Sequence, residues 1–112
     1  MSCIFCKIIA NEIPSERVYE DDKVIAFKDI NPATPVHILV IPKVHIEGVH
    51  EIDSENSHYV ARAFEVIRTL AEEFHLEKGY RVITNVKEYG GQSVPHLHFH
   101  LLGGKNLGEK II

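Results

Sequence analysis

Gly90-Gly91-Gln92-Ser93-Val94-Pro95-His96-Leu97-His98-Phe99-His100-Leu101-Leu102 is the stretch on which the reading of this chain turns. From Leu97 on, polar and apolar residues alternate with period two, the signature of a strand. His96, His98 and His100 then share one face, and Leu97, Phe99 and Leu101 share the other. One face goes into a core. The other carries three imidazoles in a row. A Gly-Gly turn with an amide and a hydroxyl leads directly into that row.

A single histidine on a strand is usually a surface residue or a satisfied core residue. Three at strict alternation beside such a turn call for a chemical role. Histidine is a common metal ligand, but alternate strand residues lie roughly 6.5–7 Å apart. The outer two would be about 13 Å apart, too far to share one ion at ~2 Å bonds. Two neighbours can share a metal; all three cannot. The remaining reading is a nucleophilic or acid/base row, with backbone N–H groups of the turn set for an anion.

His-Leu-His-Phe-His-Leu-Leu (96–102) resembles the signature of the histidine triad (HIT) family. Upstream, Gly91-Gln92-Ser93-Val94 resembles the Hint-like branch of that family, the nucleotide-binding phosphoramidases. Ile4-Phe5-Cys6-Lys7-Ile8-Ile9, Glu12-Ile13-Pro14, Glu20-Asp21-Asp22, Ala26-Phe27-Lys28-Asp29-Ile30 and His37 through His45 resemble the branch in the same order. The resemblance covers nearly the whole chain.

Composition agrees with a globular protein. The 112 residues are enough for one domain and too few for two, so a single HIT domain over 1–112 is expected. The chain is 45% hydrophobic and 25% charged, as ordinary soluble domains are. Net charge is −4 with the signs interspersed, so no basic patch marks a nucleic-acid or membrane-surface binder. Any anionic ligand must be held by local N–H groups and imidazoles. No apolar run approaches ~18 residues, and the first residues lack the pattern of a signal peptide. Two cysteines are too few for a disulfide scaffold. The cytosol is the expected compartment.

Cys3-Ile4-Phe5-Cys6 has three readings: a disulfide, a thioredoxin-type pair, or half of a zinc site. A reducing compartment disfavours the first, and no strand precedes the pair as the second requires. The resemblance implies the third, with His45 and His96 completing a closed, structural Cys2His2 site. Lys7 to Asn11 is expected as a short helix stopped by Ile13-Pro14. Val18-Tyr19 and Val24 to Lys28 read as a hairpin around Glu20–Lys23. His37 to Pro42 is the most apolar strand, one buried on both faces. Asp53 or Ser54 can cap a long helix from about Glu55 to His75. Its stripe is Val60, Phe64, Ile67, Ala71 and Phe74, widened by Ala63, Val66 and Leu70. Lys78-Gly79 ends that segment, Tyr80 to Thr84 is a strand, and Gly103-Gly104 end the triad strand.

The expected fold is therefore α+β and HIT-like: about five antiparallel strands with one long and one short helix. The resemblance further implies a homodimer whose sheets join edge to edge, with the long helices packing across the two-fold. It implies hydrolysis of purine nucleoside 5′-monophosphate phosphoramidates at the P–N bond. His98 would be the nucleophile, forming a nucleotidyl-histidine intermediate. The His96 carbonyl and the His37 ring would orient it. His100 and the Gly91, Gln92 and Ser93 turn would hold phosphate oxygens, and Ser93 would meet the departing nitrogen. Asp29 would accept from the ribose hydroxyls, as an ionised carboxylate facing a diol can. Asn85 would bond the nucleotide near the reacting phosphate. Ile4, Phe5, Ile8, Phe27 and Ile30 would form the slot for the base, although all five also suit a core. No organic cofactor is implied. Two other readings stand beside this one. The dinucleoside polyphosphate hydrolases of the family carry Gln between the second and third His, where this chain has Phe99. A zinc-stabilised nucleotide-binding regulatory dimer is the other. The chain lacks the tryptophan that animal members of the branch carry near the end, which bears on leaving-group specificity.

Overall fold

The computed structural model describes residues 3–112. Helix α1 spans Ile4–Ile9 and α2 spans Ser57–Glu73; the strands are β1 (Arg17–Glu20), β2 (Val24–Lys28), β3 (Val36–Pro42), β4 (Arg81–Ile83) and β5 (Phe99–Gly103). They form one five-stranded sheet in the order β1-β2-β3-β5-β4, with every neighbouring pair antiparallel. This is the α+β arrangement that the sequence leads one to expect.

The period of two sorts each strand onto the two faces of the sheet. Val24, Ala26, Ile38, Val40, Leu97, Phe99 and Leu101 join a core built with Ala63, Val66, Ile67, Leu70 and Ala71 of α2. Ile25, Phe27, Leu39 and Ile41 face the other way and pack against Cys3, Phe5 and Ile8. β2 and β3 are thus apolar on both faces, which is why Ile38 to Ile41 forms an unbroken apolar run. Leu70 is fully buried, and truncating it to alanine would cost about 2–5 kcal/mol. The stripe on α2 is shifted from the expected one: Phe64 is 48% exposed and meets Phe99 edge-on.

Helix boundaries differ from expectation for local reasons. α1 starts at Ile4, not Lys7, because the Cys3 thiol caps it, accepting the Cys6 N–H at 3.3 Å. It ends before Pro14: Asn11 takes a left-handed φ of 63°, and Arg17 donates to both the Ile8 carbonyl and Asn11 Oδ1. At α2, Asp53 Oδ1 accepts from Glu55 and Asn56 N–H in the turn ahead, and Asn56 occupies the cap position. The far end closes at Glu73 with Phe74 as its cap, close to the expected end at His75. His75 adopts φ 59°, and Leu76 folds back to donate to the Ala71 carbonyl at 2.8 Å. Leu76 is buried against β5, where Gly103 leaves room: a Cβ there would sit 2.9 Å from both Leu76 methyls.

Arg62 ties α2 to the β1–β2 turn. Its Nε donates to Asp21 Oδ2 at 2.8 Å and its Nη2 to the Tyr19 hydroxyl at 2.6 Å. Asp21 Oδ1 accepts the Lys23 and Val24 N–H groups. Burial alone would raise the Asp21 pKa, but the Val24 N–H and the Arg62 guanidinium outweigh it and hold the carboxyl well below its ordinary range.

Candidate active site and metal centre

The ladder of β5 begins at Phe99, two residues later than the alternation suggests. The preceding residues are held by loops instead. Leu97 N–H donates to the Ile46 carbonyl at 2.6 Å, and Thr84 Oγ1 donates to the His98 carbonyl at 2.8 Å. His96 and His98 are therefore buried and fixed, while His100 is half-buried in the strand.

Each ring nitrogen can be assigned from what it faces. His98 Nδ1 lies 2.7 Å from the His96 carbonyl oxygen. A carbonyl only accepts, so Nδ1 carries the proton and the neutral ring keeps its lone pair at Nε2. Burial lowers the His98 pKa below the ordinary imidazole value, so the ring is neutral at pH 7. Phe5 packs edge-on to it, with centroids 5.1 Å apart. A rigid neutral imidazole with a free lone pair is suited to nucleophilic attack.

His37 is set by the loop before it. Ala33 N–H donates to His37 Nδ1 at 3.0 Å, which puts the His37 proton on Nε2. That nitrogen is 2.9 Å from His100 Nδ1. His100 thus accepts at Nδ1 and keeps its own proton at Nε2, as a donor. Burial, then the nearby His98 and His37 rings, pull the His100 pKa down to about 4. The ring expected to orient His98 is therefore found against His100. Asp29 Oδ2 lies 3.4 Å from His37 Nε2, and Asp29 Oδ1 accepts the Asn31 N–H at 2.8 Å.

The turn before the triad spends most of its own donors. Gly91 N–H donates to the Glu88 carbonyl and Gln92 N–H to the Lys87 carbonyl, each at 3.0 Å. The N–H and hydroxyl of Ser93, an exposed residue, take no part in those bonds. Of the three backbone N–H groups of Gly91–Ser93, those of Gly91 and Gln92 are therefore already paired within the turn. Asn85 is half-buried at the exit of β4. The expected base slot divides: Phe5, Ile8 and Phe27 are buried beneath the site, whereas Ile4 is 47% and Ile30 91% exposed.

Behind His98 lies the second cluster. Cys3 Sγ is 3.3 Å from His96 Nδ1, Cys6 Sγ is 3.3 Å from His45 Nδ1, and Cys6 Sγ is 3.6 Å from His96 Nδ1. All four ligand atoms fall within 4.8 Å of one another, close enough to hold a metal ion. Tetrahedral bonds of ~2.3 Å to sulfur and ~2.05 Å to nitrogen imply S···N edges of roughly 3.5 Å, so the donor set fits such an ion. His96 is prepared for it: Nε2–H donates to the Pro42 carbonyl at 3.0 Å, leaving the Nδ1 lone pair toward the sulfurs. Burial pushes His96 down to about 4 and the Cys6 thiol up to about 11. A divalent ion would reverse the thiol's preference.

Sequence reasoning missed Thr84 and the Ala33 N–H. Thr84 reads only as the end of a strand, and a backbone donor has no residue signature. A cleft of about 800 Å³ lies elsewhere, between the turn after α2 and the C-terminal segment, and none of the candidate site residues lines it.

Two buried rings and a half-buried third, a fourth histidine on the neighbouring strand and a carboxylate beside it make up the centre, and comparison fixes the family. The HIT domain model matches residues 10–107, and the chain belongs to the HIT family as a hydrolase of its Hint-like branch. It is 48% identical over 109 residues to the purine nucleoside phosphoramidase of Escherichia coli strain K12, covering 96% of this chain and 92% of that one. A HIT family hydrolase from Clostridium thermocellum superposes with a TM-score of 0.97 at 52% identity, covering 99% of this chain and 97% of that one. A histidine triad protein from Clostridium difficile gives 0.94 at 48% identity, covering 98% and 96%.

Proposed function

We propose that this chain hydrolyses purine nucleoside 5′-monophosphate phosphoramidates at the P–N bond. The observation that carries the reading is the His98 Nδ1–H bond to the His96 carbonyl, which leaves Nε2 as the nucleophile. The 48% identity to a purine nucleoside phosphoramidase supports the substrate class. Nε2 attacks the α-phosphorus and the P–N bond breaks. The amine leaves with the bonding pair and takes a proton from water. Water then attacks phosphorus, the His98–phosphorus bond breaks, and the nucleoside monophosphate departs with the neutral imidazole restored. His100 Nε2–H and the Ser93 N–H donate to the phosphoryl oxygens as charge develops. Asp29 accepts from the ribose diol, Asn85 bonds near the phosphate, and Ile4 and Ile30 flank the base above Phe5, Ile8 and Phe27.

The ion held by Cys3, Cys6, His45 and His96 is zinc in this reading, with a structural role: four protein ligands leave no open position. The protein acts in the cytosol as a homodimer. The edge strand β4 and the half-exposed Phe64 of α2 support that assembly. The test is turnover of an adenosine phosphoramidate beside a diadenosine polyphosphate, by wild type and His98→Ala. Faster cleavage of the polyphosphate, or undiminished turnover by the variant, refutes the proposal.

A further inference from the structure

Gln92 stands beside Ser93 in the turn that leads into the triad, and its side chain is bonded to backbone groups of the protein. Its Oε1 accepts the Lys87 N–H at 2.8 Å. Its Nε2 donates to the Glu47 carbonyl at 2.6 Å and to the Val94 carbonyl at 3.1 Å. An amide has two N–H donors, and both are used. The backbone of the same residue donates to the Lys87 carbonyl at 3.0 Å. Lys87 and Gln92 are thus clasped in both directions, N–H to side chain and N–H to backbone.

The clasp closes a loop under strain. Lys87 sits at φ 58°, a left-handed conformation that is unfavourable for a non-glycine residue. Gly90 runs so close to Val86 that a Cβ would collide with the Val86 carbonyl oxygen. Such a loop keeps its shape only when its surroundings over-determine it. The Glu47 bond anchors it to a segment that is itself fixed: Ile46 accepts the Leu97 N–H, and the His45 ring meets Cys6.

We propose that Gln92 is a positioning residue for the reaction, and not a nucleotide ligand. Its amide locks the loop 87–92 onto segment 45–47 and thereby sets the Ser93 N–H and hydroxyl against the phosphoryl group and the departing nitrogen. The inference rests on the phosphoramidase reading. It predicts that loss of the amide harms the leaving step more than nucleotide binding, and harms poor leaving groups most.

The experiment compares wild type, Gln92→Ala and Gln92→Glu. Turnover is measured on two adenosine phosphoramidates, one of an aromatic amine and one of an alkylamine, together with AMP affinity, melting and amide exchange. The expected result is a kcat reduced about ten- to a hundredfold, more for the alkylamine. AMP affinity changes by less than about threefold, and amides 87–93 exchange faster. Gln92→Glu keeps the acceptor for Lys87 but turns a carboxylate toward two carbonyls, so it decides by the same criteria if Gln92→Ala does not melt cooperatively. Variants with wild-type kcat on both amines overturn the proposal. So do variants that lose both amines equally and in step with AMP affinity, since that marks a merely structural role. A wild type that turns over neither amine overturns the phosphoramidase reading and this inference with it. A failure of Gln92 alone leaves wild-type turnover intact.

Discussion

His98 donates its Nδ1–H to the carbonyl of His96, two residues earlier, at 2.7 Å. One short bond along the chain thus decides which nitrogen of the triad's middle ring is free. His98→Ala or His98→Asn should reduce turnover by ~10³-fold or more while nucleotide binding persists. A rapid quench with labelled substrate should trap a nucleotidyl adduct on His98 alone. An adduct on His96 or His100 would show that the tautomer argument chose the wrong ring.

His37 acts one ring removed. Its Nε2–H at 2.9 Å holds His100 Nδ1 unprotonated, so nitrogen NMR of wild type at about pH 7 should show His100 protonated at Nε2 only. In His37→Ala that preference should be lost, with kcat falling about tenfold or more. An unchanged His100 spectrum in the variant would remove His37 from the network.

Asp29 should carry the ribose preference. Its carboxylate is only one-fifth exposed, and one oxygen already accepts the Asn31 N–H. Removing it leaves a diol underpaired, costing about 1.5–3 kcal/mol, or on the order of ten- to a hundredfold in affinity. Asp29→Ala should also lose discrimination against a 2′-deoxy nucleotide. Equilibrium binding of AMP and dAMP measures both, and discrimination that survives assigns the sugar to another group.

Acid should destabilise the fold in two windows. His96 and His100 are held down to about 4 by burial, against an ordinary value near 6.5. Between those values the unfolded chain binds more protons, so stability falls as pH falls from ~6.5 toward ~4. An ion on His96 acts in the same direction, since protons compete for its ligands. Asp21 acts lower still. Its carboxyl is depressed, so its contribution is present above the unfolded value of ~3.9 and is lost as pH falls through the folded value. Urea midpoints should be flat above about pH 7.5 and decline below ~6.5. Asp21→Asn should cost about 1.5–3 kcal/mol at neutral pH. A midpoint constant down to about pH 4.5 would contradict the burial of the two rings.

Much of this was legible in the sequence, and the failures have physical causes. Alternation alone sorted His98 and His100 from Leu97, Phe99 and Leu101, because strand faces follow sequence parity. Which ring meets which is a matter of register. β3 and β5 pair His37 with Leu102 and Leu39 with His100, so His37 and His100 are diagonal neighbours. No spacing along one strand reveals that. α1 began early because a thiol served as its cap, outside the usual Ser, Thr, Asp and Asn vocabulary. The end of α2 fell within two residues of the expected His75, which takes the left-handed position itself while Leu76 is buried behind it. Gln92 stands among the expected ligands, but no spacing reveals that its amide bonds Lys87 and Val94 nearby and Glu47 on another segment.

The metal centre yields the last prediction. Cys3 and Cys6 lie near the chain's start, where fraying is the default unless something ties the segment down. An ion joining them to His45 and His96 would pin α1 to the start of the triad. His96 then serves twice, its ring toward the sulfurs and its carbonyl toward His98. Protein purified without added metal should carry about one zinc per chain. Cys3→Ser with Cys6→Ser should remove the ion and lower thermal stability more than the rate constant of the chemical step. Nitrogen NMR of His98 should still report a protonated Nδ1, because the His96 carbonyl is also held through the Pro42 bond to the His96 ring. A protein without metal whose double variant melts like wild type would reduce the pair to one buried and one half-buried free thiol. Chelation that abolishes chemistry in a chain that stays folded would make the ion catalytic and require a different mechanism.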